Sequence, residues 1–145
     1  MSLRSYRSLL WSVSVLGVLC FIFANSLLPS SASAEESRSF LDLLSEIFPT
    51  LTHHAVRKLA HLAEYALLGA HFALFPYVWR CRARVALPVM LLFGTLIALL
   101  DEGIQRFVPG RGASLTDVLI DSLGYLLALV FVFFVAGIRR GHRNA

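Results

Sequence analysis

Charge is scarce in this chain. Asp, Glu, Lys and Arg make up 15% of its 145 residues, against roughly a quarter in ordinary soluble domains. Disorder and a collagen-like repeat are excluded by the same composition. Cysteine is limited to Cys20 and Cys81, which lie in or beside apolar segments without the spacing of a metal knuckle. A disulfide scaffold is therefore excluded as well. There is no phosphate-binding glycine loop, nucleophile elbow, nucleic-acid module or convincing internal repeat.

What the chain has is apolar surface. Hydrophobic residues account for 57%, with 11 Phe, and the mean hydropathy is +0.72. A single domain of this length has no interior large enough to hold them, so the sequence predicts an integral membrane protein. The net charge of +4 then reads as topology, because Arg marks cytoplasmic ends.

Four apolar segments are expected to be spanning helices: about Leu9–Leu28, Arg57–Trp79, Val85–Ile104 and Leu115–Ile138. Each approaches the ~20 residues that cross a bilayer, and the long runs lack the alternation of a membrane barrel. The expected fold class is all-α, a single-domain four-transmembrane-helix bundle. The start MSLRSYRSLLW and the later SASA resemble a cleavable signal. The first apolar run exceeds the roughly 7–15 residues of a signal core, so an uncleaved first helix is expected.

Arginines set the orientation. Arg4 and Arg7 precede the first segment, Arg80, Arg82 and Arg84 fill the tight second loop, and Arg139, Arg140 and Arg143 follow the last segment. All three ends lie on one side of a four-helix array. The positive-inside rule makes it cytoplasmic, with both termini inside. Residues 29–55 and 105–114 then face outward. In the first outer loop, 30–39 is expected to be a loose linker. Ser39 and Asp42 have capping-box form before Phe40, Leu43, Leu44, Ile47 and Phe48. That spacing predicts an amphipathic helix over about 40–48, stopped by Pro49 and either lying on the outer interface or packed on the bundle.

Ionisable residues inside spanning segments are expensive and usually face a bundle interior or a water-filled cavity. Lys58, His61, Glu64, Tyr65, Leu68 and His71 share one broad helical face. Asp101 and Gln105 share another, with Glu102 at its margin, and Asp117 and Asp121 are i, i+4 neighbours. Gly94–Ala98 and Gly124–Ala128 extend these faces with small-xxx-small spacing, which lets helices approach closely. The alternating topology brings all of these polar groups to one depth near the outer leaflet. Glu64 and Asp121 come only about 10 Å below their helix starts at 1.5 Å per residue. The Pro109-Gly110-Arg111 turn sets Arg111 above or into the cluster.

The pattern Lys58-x-x-His61-x-x-Glu64-Tyr65, Asp101-Glu102-x-x-Gln105-x-Phe107, Pro109-Gly110-Arg111 and Asp117-x-x-x-Asp121-x-x-Gly124 resembles VanZ-like membrane proteins. It covers about Val56–Leu127, and Asn25-Ser-Leu-Leu-Pro29 is in keeping. Family members often carry Asn at the position of Asp121. The resemblance implies a bacterial plasma-membrane protein of the cell envelope and an association with resistance to the glycopeptide teicoplanin.

The expected ligand-binding set is Lys58, His61, Glu64, Tyr65, Asp101, Glu102, Gln105, Arg111, Asp117 and Asp121. Lys58 and Arg111 suit phosphate or carboxylate, while the carboxylates and Gln105 suit amines, hydroxyls or sugars. Membrane lipids, a lipid-linked envelope precursor and a glycopeptide antibiotic are the expected partners. Nucleic acid is not expected, and a homo-oligomer is compatible. An alternative is an intramembrane enzyme with His61 and Glu64 as acid–base pair and Asp117 or Asp121 orienting His61. Its metal-assisted form would use His61, Glu64, Asp101 and Asp117, but no duplicated Glu-x-x-His is present. The reading assigns no metal and no cofactor. A third alternative is a polar network that only braces the helices.

Overall fold

The computed structural model describes residues 3–44 and 52–143, and their side chains apart from those of 4, 36, 37, 39, 40, 43, 44 and 140–143. All regular structure among the described residues is helical: α1 (Leu3–Ser26), α2 (Ser30–Leu44), α3 (His53–Ala73), α4 (Phe75–Trp79), α5 (Ala83–Gln105) and α6 (Leu115–Arg143).

The long helices pack around a core of Val18, Ile22, Tyr65, Leu68, Phe72, Met90, Ala98, Tyr125 and Leu129. Outside it the polarity is reversed from that of a soluble bundle. Leu16, Phe21, Leu92, Leu100, Phe131 and Phe134 are exposed, while Asp101 and Asp121 are 0% exposed. An apolar perimeter around a polar interior suits lipid, not water. Among the described residues, three stretches are long and apolar enough to cross a membrane: Ser5–Ser26, Ala83–Gln105 and Leu115–Arg139. The chain is thus an integral membrane protein. α3 is not among the three, since Arg57, Lys58 and Glu64 lower the hydropathy of its first half.

The closest helix pairing is α3 against α6. A Cβ at Gly69 would strike the Tyr125 backbone, and one at Gly124 would strike the Leu62 carbonyl. Only glycine permits this approach of two backbones. Gly94 receives the face of the Tyr125 ring, whose hydroxyl donates to the Met90 carbonyl at 2.9 Å.

Two expectations need correction. Residues 30–39 are not a linker: they form most of α2, which starts directly after Pro29. Ala32, Ala34, Glu35 and Glu36 are strong helix formers, and the Ser33 amide donates to the Pro29 carbonyl at 3.1 Å. Ser39 therefore sits inside a helix instead of capping one. α2 packs against α3, and Ile47, Phe48 and Pro49 lie outside the described residues. The second apolar segment is also not one helix. It breaks at Leu74, because Pro76 lacks an amide hydrogen and starts the short α4.

Candidate functional site

The end of α1, the start of α3, the end of α5, the start of α6 and the 106–114 link meet at one end of the bundle. Local capping fixes α3 there: the Thr52 hydroxyl accepts from the Ala55 amide at 3.2 Å. The link is tied across to α2, whose Ser30 amide donates to the Pro109 carbonyl at 3.3 Å. Gly110 adopts φ 75° beside the Ser30 side chain, a position where any Cβ would be strained and crowded.

The polar groups form two levels. At the rim, Lys58 Nζ lies 3.7 Å from Asp117 Oδ1, with side chains 30% and 17% exposed. Glu102 Oε2 accepts from the Ser114 amide at 2.7 Å. Arg111 is half-buried, and its Nε and Nη1 have no hydrogen-bond partner. Burial, and then the like charge of Arg57, pull its pKa below the ordinary arginine value.

Deeper, His61 Nδ1 lies 3.4 Å from Asp121 Oδ1 and 4.0 Å from Asp101 Oδ2. One ring nitrogen and one oxygen from each carboxylate fall within 4.8 Å of one another. Asp101 is held from two sides. Ser26 Oγ donates to its Oδ1, and Gln105 Nε2 donates to its Oδ2 at 3.2 Å. Both oxygens of Asp121 are buried without a hydrogen bond, as is the Tyr65 hydroxyl one turn beyond His61. At the side of the cluster, Asn25 Nδ2 donates to Glu64 Oε1 at 2.7 Å.

All ten expected positions therefore fall at this end of the molecule; of the expected pairs, Asp121 lies against His61 but Glu64 does not. His61 faces Asp121 and Asp101, while Glu64 turns to Asn25. Asp117 serves Lys58. Tyr65 is fully buried, and Phe107 is 86% exposed. His71 lies deeper and apart. Its Nδ1 contacts the Leu67 carbonyl at 2.8 Å, and its Nε2 contacts Ser14 Oγ at 2.8 Å.

Asn25 and Ser26 were not among the expected site residues. Their signal was two small polar residues closing an apolar helix just ahead of Pro29. Of the nine acidic residues in the chain, Glu64, Asp101, Glu102, Asp117 and Asp121 gather here. That concentration in a lipid-facing bundle makes this end the candidate site.

A family model for VanZ/LLP1 matches residues 11–136. Comparisons with curated proteins and with solved structures gave no match. The matched range takes in α1 through most of α6, including every residue of the two levels just described. The chain belongs to the VanZ/LLP1 family.

Proposed function

We propose that this VanZ-family membrane protein crosses the bilayer four times, with α3 as the fourth span, and binds the anionic headgroup of a lipid or lipid-linked envelope precursor at its outer end. Of the charges of α3 that lower its hydropathy, Glu64 meets Asn25 of α1 and Lys58 meets Asp117 of α6 at that end. The positive-inside rule applied to the arginine ends supports cytoplasmic termini, and the family supports a bacterial plasma membrane. A lipid-tailed glycopeptide is a second ligand of the same chemistry, which links the site to teicoplanin-type resistance.

Arg111 carries the reading. A half-buried guanidinium with Nε and Nη1 unpartnered is short of an anion, and Arg matches phosphate or carboxylate in bidentate geometry. The carboxylates whose charge reaches it are Asp101, Glu102 and Glu64, and among the described residues none of them forms an ion pair with Arg111. The intramembrane enzyme is the second reading, favoured by the 3.4 Å approach of Asp121 to His61, which suits an oriented general base.

The test is Arg111→Gln. Arg111 lies in a link outside the helix cores, so expression and melting temperature in detergent should be unchanged. Loss of a charge-assisted bond costs about 1.5–3 kcal/mol, or roughly tenfold to over a hundredfold in affinity. Anionic lipid co-purifying with the variant should fall accordingly by mass spectrometry, with a matching change in teicoplanin susceptibility. Equal lipid retention would remove Arg111 as a ligand, and loss of folding would favour the bracing role.

A further inference from the structure

The two carboxylates at the floor of the site have no counter-charge except His61, and that only when its ring is protonated. Asp101 and Asp121 are 0% exposed, and a buried carboxylate is strongly disfavoured unless paired or metal-bound. Among the described residues, no Lys or Arg forms an ion pair with either one. Lys58 is taken by Asp117. The group between them is His61, and its Nδ1 makes no hydrogen bond.

We infer that His61, Asp101 and Asp121 form a site for one divalent transition-metal ion of the zinc or manganese type. The donor chemistry fits: one imidazole nitrogen and two carboxylates suit such an ion, whereas calcium takes 6–8 oxygen ligands. The spacing fits for one pair. Donors about 2.0–2.2 Å from one tetrahedral ion lie about 3.4 Å apart, and His61 Nδ1 and Asp121 Oδ1 are 3.4 Å apart. Asp101 Oδ2, at 4.0 Å from His61 Nδ1, has to draw in to share the ion.

Independent support comes from Asp121. Its side chain is wholly buried, points Oδ1 at His61, and leaves both oxygens without a hydrogen bond. A bare acidic cluster would have exposed, solvated oxygens. Asp101 has the complementary feature of an orienting shell. Ser26 and Gln105 each donate to one of its oxygens, the outer support that ligating carboxylates receive in metal sites.

Three protein donors leave a coordination position for water or for an oxygen of a bound headgroup. The ion site thereby deepens the headgroup reading while resting on different residues from Arg111. No sequence motif announces it, because its donors come singly from α3, α5 and α6.

The protein is purified in detergent, stripped with a chelator, and titrated separately with zinc and manganese, with bound metal counted by elemental analysis. The expected result is one ion per chain. Asp121→Asn keeps the shape and should weaken binding about a hundredfold or more. Ser26→Ala, which removes only an outer hydrogen bond, should weaken it roughly 10–100-fold, and it serves as the readout if Asp121→Asn does not fold. The exposed His53 and His54, changed together to Ala, should leave binding intact. Absence of saturable binding of either metal overturns the site. So does equal binding in Asp121→Asn or Ser26→Ala, or loss in the His53/His54 variant. Protein that binds neither metal yet loses lipid on Arg111→Gln sinks the ion alone. Protein that binds one ion yet keeps its lipid on Arg111→Gln sinks the headgroup reading alone.

Discussion

Asp101 shows how one buried side chain recruits every neighbouring helix. Ser26 reaches it from α1, Gln105 from one turn along α5 and His61 from α3. Ser26 is 1% exposed, so its removal leaves a buried carboxylate oxygen short of a donor, which costs about 1–3 kcal/mol. Ser26→Ala should lower the melting temperature in detergent, whereas Ala at the exposed Ser12 should not. Equal melting of the two variants would mean that the Ser26 contact is energetically idle. At this scale the sequence was only partly legible. The i, i+4 spacing of Asp117 and Asp121 put both on one stripe. It did not reveal that the first would stop at the rim beside Lys58 while the second, a turn deeper, would face His61. Glu64 was matched to His61 by proximity along α3, yet its partner Asn25 is distant in sequence and visible only once α1 packs on α3.

Between elements, the decisive contact is α3 on α6. Because a Cβ at Gly69 or Gly124 would meet backbone atoms that have little freedom to yield, Gly69→Ala and Gly124→Ala should each destabilise by about 1–3 kcal/mol. Gly17 has open space around its would-be Cβ. Gly17→Ala should instead stabilise slightly, by up to about 1 kcal/mol from helix propensity. Thermal unfolding in detergent reads all three, and a uniform sign would contradict the packing described. The Gly124–Ala128 and Gly94–Ala98 spacings advertised close approach before any fold was known. Gly69 did not, because it sits within an apolar run and its need for smallness arises from Tyr125 across the interface. Helix ends behaved similarly. α5 and α6 begin close to where their apolar runs begin. α2 extends ten residues earlier than the amphipathic pattern indicated, because propensity at Ala32–Glu36 acts without periodicity.

The whole molecule is an apolar shell around a polar end. Its outward Leu and Phe side chains have no place in water, and its acidic groups have none in lipid unless the bundle encloses them. α1, α5 and α6 were legible as spanning helices from hydropathy alone. α3 was expected to span as well, but the charges that mark it as a site element dilute its hydropathy, and it is not among the three stretches apolar enough to cross. Its crossing is the hinge of the account: only if α3 spans do the ends of α1, α3, α5 and α6 share the outer face with Arg111 while the arginine loop lies inside. Labelling of single cysteines in intact cells with a membrane-impermeant maleimide, in a Cys20→Ser, Cys81→Ser background, tests this directly. Ser31→Cys and Ala113→Cys should label from outside, and Arg82→Cys should label only after permeabilisation. Labelling of Ser31→Cys and Arg82→Cys from the same side would show that α3 does not cross, and labelling of Arg82→Cys alone from outside would place the polar site on the cytoplasmic face.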